Sequence, residues 1–220
     1  MIRVNGLEPV PSGFDLTQHA KTAARDAVNS LTDPEEDLLP VVLSYGPRGL
    51  GIMGGAMPAD NAGRDAMANL IVARLAIDQA EEAVMICMAY LTVLDKVDGH
   101  VKCNRQETVV LMHCDNDSQS AWTAKVTRHD NRPPDVSIWE DISGGTDSKD
   151  ASVYAGGRFL EALSEGLAFA KSSAALPEMQ ELLDAAHRED RVDDLVALFL
   201  ATQELLKTEE GSDDNNNGVR

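Results

Sequence analysis

The run Glu82 to Leu94, EAVMICMAYLTVL, limits what this chain can fold into more than any other stretch. Both alternating sets of side chains are apolar, the pattern of a central strand covered on two faces. A chain that contains such a strand needs a layer on each side of its sheet. The neighbouring runs supply candidates for both. Glu107 to Cys114 (ETVVLMHC) is a similar, shorter strand, and Ser120 to His129 alternates, with Trp122, Ala124 and Val126 on one face. Asp115 to Gln119 reads as a hairpin turn, and the polar stretch Asp95 to Gln106 as a longer hairpin loop.

Upstream, Asp15 to Leu31 places Leu16, Ala20, Ala23/Ala24, Ala27/Val28 and Leu31 at helical spacing, and Asn61 to Ala80 is a second amphipathic helix. Between them, Leu38 to Tyr45 and Leu50 to Met57 are apolar runs of strand length joined by Gly46-Pro47-Arg48-Gly49. Downstream, Asp130 to Gly157 is rich in Pro, Gly, Asp and Ser and reads as a long loop, with Val136 to Trp139 a short extended piece. Helices are expected over Arg158 to Ser172, Pro177 to His187 and Val192 to Leu206. The expected fold is α+β: a mostly antiparallel five-stranded sheet in the order helix-β-β-helix-β-β-β, with packed helices and a C-terminal helical segment. Residues 1–14 form an irregular leader, 15–206 a single domain (15–130 sheet and helices, 131–157 loop, 158–206 helices), and 207–220 a disordered polar tail.

With 220 residues, 43% of them hydrophobic, the chain can bury one good core. Its formal net charge of −18 opposes binding to nucleic acid or anionic lipid. No run of about 18 apolar residues predicts a membrane span, and the N-terminus lacks the apolar core of an export signal. The three cysteines, Cys87, Cys103 and Cys114, form no disulfide framework. A cytoplasmic protein is the expectation.

The most suggestive motif is GPRGLGIMGG, Gly46 to Gly55, in which Gly49, Gly51 and Gly54 fit the dinucleotide-binding pattern G-x-G-x-x-G. That pattern needs its glycines directly between a strand and a helix, so that amides at the helix N-terminus meet phosphate. Here it lies among Leu50, Ile52, Met53 and Met57, and Pro58 to Asn61 separate it from the next helix. The acidic residue expected about 20 positions on is missing too. A tight hairpin turn explains the stretch, with Gly49, Gly51 and Gly54 kept as candidate ligand-binding residues.

His100, Cys103, His113 and Cys114 are the one zinc-like set. If Glu107 to Cys114 is a strand, its ends lie about 24 Å apart and His113 and Cys114 face opposite ways, so no metal site is expected. Ser44, His113 or His129 with Asp115, Asp117 or Asp130 could be imagined as nucleophile, base and acid, but no supporting motif accompanies them. No cofactor is expected. Trp139, beside Ile138 in the long loop, is either an anchor holding that loop to the body or a partner-binding hot spot.

The element order over roughly residues 15 to 175 is similar to the profilin-like arrangement of roadblock and longin modules, which act as protein-binding and dimerising platforms. The likeness is one of order alone, without a motif, and assigns no family. The sequence therefore reads as a non-enzymatic interaction or regulatory module, with Trp139 and Ile138 as partner-binding candidates. That reading admits a protein partner or a homodimer. The alternative is a small-molecule-binding protein or enzyme with a pocket near Gly49 to Gly55.

Overall fold

The computed structural model describes residues 3–33, 36–97, 100–130, 132–142, 157–174, 177–189 and 191–201. The strands are β1 (Arg3–Glu8), β2 (Val41–Gly46), β3 (Gly49–Gly54), β4 (Glu82–Val97), β5 (His100–Asp115), β6 (Gln119–Thr127), β7 (Asp135–Val136) and β8 (Glu140–Asp141). The helices are α1 (Leu16–Asn29), α2 (Asn61–Asp78), α3 (Arg158–Ala174) and α4 (Pro177–Arg188), followed by a helical stretch over residues 192–201, here α5. The class is α+β, and all strand pairings are antiparallel.

The sheet runs in the order β1-β3-β2-β4-β5-β6-β7, with β8 also on β6. It is larger than the expected five strands for two reasons. Residues 3–8 of the leader, read as irregular, pair with β3 as an edge strand, with a bulge between Asn5 and Glu8. Within the loop 131–157, the two-residue pieces β7 and β8 dock on β6, while residues 143–156 lie outside the described residues, as does the tail 207–220.

Alternation sorts the sheet's side chains to two layers. Leu43, Leu50, Val84, Ile86, Val109, Leu111 and Val126 meet the Leu16, Ala20, Ala24 and Val28 stripe of α1. Val42, Met53, Ala83, Met85 and Cys114 face α2 and α3. Helix α2 is buried almost all round in its second half, because α4 and α5 cover Ala73 and Ile77 with Leu183, Val192 and Val196. Both leading helices have acidic N-caps: Asp15 Oδ1 accepts from Gln18 N–H at 2.8 Å, and Asp60 Oδ1 from Gly63 N–H at 2.6 Å.

The glycine stretch is a hairpin. Gly46 pairs with Gly49 across a two-residue Pro47-Arg48 turn, and Gly49 takes φ 118°, which favours glycine. Gly46 has a different task, since α2 ends against it. A Cβ there would lie 2.5 Å from the Gln79 carbonyl oxygen, at the helix's left-handed C-cap. Gly46→Ala is therefore expected to cost about 2 kcal/mol in a urea melt.

Candidate interaction site

Strands β4 and β5 outrun the sheet that contains them. Strand β2 pairs with β4 only from Glu82 to Ile86, and β6 pairs with β5 only from Thr108 to Cys114. The β4–β5 ladder nevertheless continues from Tyr90↔Glu107 to Val97↔His100. These eight rungs span about 24 Å at the rise of an antiparallel strand. The expected loop over Asp95 to Gln106 is thus a two-stranded ribbon, and its continuation as strand is a correction to the sequence reading.

At the ribbon's base the structure is well anchored. Leu38 N–H meets Met88 Sδ at 3.0 Å, and Arg105 Cζ stands 4.2 Å from the centroid of the half-exposed Tyr90 ring. Arg128 Nη2 donates to Glu107 Oε1 at 2.6 Å and to Asp37 Oδ1 at 2.9 Å, which ties β6 and the α1–β2 connection to β5. Beyond that clamp, no described strand pairs with the outer edge of β4. The edge there reads Ala89-Tyr90-Leu91-Thr92-Val93-Leu94, six residues without charge, Pro or Gly. Natural proteins blunt such edges or cover them.

Gly49, Gly51 and Gly54 are all positions of β3, within the hairpin rather than between a strand and a helix. Gly51 pairs with Ser44 on the buried side of the β2–β3 hairpin, and Gly54 ends β3 opposite Val41. The void on this side, between Ser44, Met53, Ile71, Arg74 and Asp78, measures about 10 Å³. That is room for a single water, and no metabolite fits it. Its polar wall is an ion pair missed at the sequence level: Arg74 Nε donates to Asp78 Oδ2 at 2.7 Å, with both side chains almost wholly buried. Burial pushes the Asp78 carboxyl above the usual carboxylate range, outweighing the pull of Arg74. Arg48, from the hairpin turn, donates to Gln79 Oε1 at 2.9 Å and Asp184 Oδ1 at 2.7 Å, fastening α4 beside this pair.

The imagined catalytic residues are held apart. Ser44 faces α2, whereas His113 lies on the α1 side, where its Nε2 meets Glu82 Oε1 at 2.9 Å. Asp115 is absorbed by the β5–β6 turn, its Oδ1 accepting from the N–H groups of Asp117 and Ser118 at 2.8 and 2.6 Å. His129 Nε2 is bonded to Asp135 Oδ2 at 2.9 Å just past the end of β6, and two strands, β4 and β5, separate β6 from the β2 strand that carries Ser44. Cys114 is buried on the face opposite His113, and burial raises its thiol to about 12 and that of Cys87 to about 11, so both stay protonated at neutral pH. His100 and Cys103 sit on the ribbon, across β5 from the sheet-bound end that carries His113.

A cleft of about 310 Å³ opens beside Thr32, Arg128, His129, Arg132 and Pro133. Its cations are already answered within the chain: Arg128 by Glu107 and Asp37, Arg132 and His129 by Asp135. The hydrogen bond from His129, helped by Arg132, holds the Asp135 carboxyl below its usual range.

Trp139 and Ile138 diverge. The Trp139 ring is half-buried against the α1-side core, while Ile138 is 77% exposed. Trp139→Ala should lower stability by about 2 kcal/mol, less than a fully buried tryptophan loses, and a thermal melt checks it.

Compared with protein-family models, curated proteins and solved structures, the chain matches none.

Proposed function

We propose that this protein is a non-enzymatic interaction module and that a protein partner adds onto the β4 edge of its projecting ribbon. The single observation behind this reading is the edge itself: a strand unpaired by any described residue beyond its base, uncharged for six residues, and running past the last rungs of β2 and β6. An isolated two-stranded ribbon is marginal in water. Added strands supply the missing main-chain hydrogen bonds, with alternate side chains setting specificity. The acidic surface favours a protein over a polyanion as the partner. Exposed Ile138 stands on the far side of β6 and is a second, smaller contact candidate.

The test replaces residues 92–105 by Asn-Gly, which closes the hairpin at the Leu91↔Gln106 rung with a favoured two-residue turn. Full-length and shortened chains are used as bait in nuclease-treated lysate. Binding is expected to disappear with the ribbon while the melting temperature stays within about 2 °C, because none of the buried core residues is removed. Partners held equally by both baits would defeat the reading.

A further inference from the structure

We propose that α4 and α5 form a strap that lifts off α2 as one unit while the sheet and α3 stay folded. The inference is independent of the ribbon, and three observations carry it.

The first is how little the strap buries. Over residues 180–200 the buried side chains among those described are Leu183, Ala186, Val192 and Val196. Helix α3 buries six over 17 residues. Leu183, Val192 and Val196 meet Ala73 and Ile77 of α2 in a cluster separate from the one in which Ile71 and Leu75 join the sheet. The strap's tie to α3 is an edge-on contact of Phe199 with the exposed Phe169 ring, 5.7 Å between centroids. Elements with so few buried apolar contacts open locally, at a lower free energy than the core they rest on.

The second is charge. Residues 177–201 carry seven acidic side chains against Arg188 and Arg191, a net −5, and the remainder of the chain carries −13. The strap and the body that it covers therefore repel one another at long range.

The third is where the body answers that charge. Arg48, in the β2–β3 turn, donates from Nη2 to Asp184 Oδ1 of α4 at 2.7 Å, and Arg74 Nη1 lies 3.8 Å from Asp193 Oδ1 of α5. Both carboxylates are open to solvent, which weakens such pairs. Arg48 is the firmer point, because its Nε is already held by Gln79 Oε1 at 2.9 Å. His187 Nε2 adds a contact with the Ile77 carbonyl oxygen at 3.3 Å. Lifting the strap breaks these contacts together, bares Ala73 and Ile77, and releases the Arg48 guanidinium to another carboxylate.

Hydrogen–deuterium exchange of the full chain, read by mass spectrometry, tests the strap. Amides of α4 and α5 should share one level of protection, at least about 100-fold below that of Glu82 to Ile86 in β4. Arg48→Glu sets a second carboxylate against Asp184 and should speed exchange in both helices about tenfold, with Glu82 to Ile86 unchanged. Arg48→Glu with Asp184→Arg reverses the pair and should return wild-type protection. Gln79 Nε2, buried without a hydrogen-bond partner among the described residues, can donate to the introduced carboxylate. Protection in α4 and α5 equal to that of β4 overturns the inference, as does a gradient along the two helices, which is fraying rather than lifting. A charge reversal that speeds exchange in β4 as much as in the strap also overturns it, as does a reversed pair that fails to restore protection.

Discussion

Asp78→Ala is expected to destabilise the protein by about 4 kcal/mol, because it strands a buried guanidinium. The Arg74 side chain is 8% exposed, and its remaining carboxylate neighbour among the described residues is the surface residue Asp193, whose Oδ1 lies 3.8 Å from Nη1. At about 2–4 °C per kcal/mol for a chain of this size, the melting temperature should fall by roughly 12 °C. The loss does not measure what the pair contributes. Replacing both residues, Arg74→Met with Asp78→Leu, should recover most of the stability, since an apolar pair of similar volume needs no desolvation. A urea-melt cycle over wild type, Arg74→Met, Asp78→Leu and the double variant separates the two effects; equal losses in the single and double variants would show that packing rather than charge dominates. The pH dependence follows from the raised carboxyl of Asp78. Its favourable linkage is complete below the ordinary carboxylate pKa of about 3.9 and is lost as pH rises through the higher native value.

Gly166→Leu should be nearly as damaging. This glycine lies in the middle of α3, where alanine would ordinarily be worth up to about 1 kcal/mol more. Its reason is the neighbouring helix: a Cβ at position 166 would lie 2.9 Å from the Leu75 side chain and 3.2 Å from the Val72 Cα of α2. Leu75 and Val72 are buried, so they cannot swing away, and the two helices would have to separate along the face that forms the core. A loss of about 3 kcal/mol is expected, with Gly166→Ala in between because propensity offsets part of the clash. If the leucine variant melts like the wild type, the α2–α3 approach is looser than described.

Much of this was legible in the sequence because local periodicity reflects local burial. The α1 stripe from Leu16 to Val28, the doubly covered first part of β4, and the glycine hairpin all announce themselves in spacing or turn chemistry. The ribbon did not. Residues 95 to 106 are mostly polar, so no apolar alternation marks the two strands that pair there. Strand β1 was hidden for a related reason, with Gly6 and the bulge before Glu8 interrupting a six-residue edge. Arg74 and Asp78 show the opposite error. At i and i+4 they resemble an exposed charged face, yet they line the void against Ser44, Ile52 and Met53 of the β2–β3 hairpin, a tertiary contact that spacing alone does not report. Trp139 stands out in the sequence, but whether a tryptophan in a loop lies against a core depends on where that loop crosses the sheet.

One consequence of the ribbon lies in the timescales on which a single strand opens. The first residues of β4, Glu82 to Ile86, are flanked on both sides by other strands under two core layers, so their amides exchange with solvent only when the whole sheet comes apart. From Tyr90 onward the same strand has one neighbour among the described residues, β5, and local opening of that ladder frees those amides without opening the sheet. A continuous strand thus passes within a few residues from global to local protection, and the boundary falls near the Arg128 clamp.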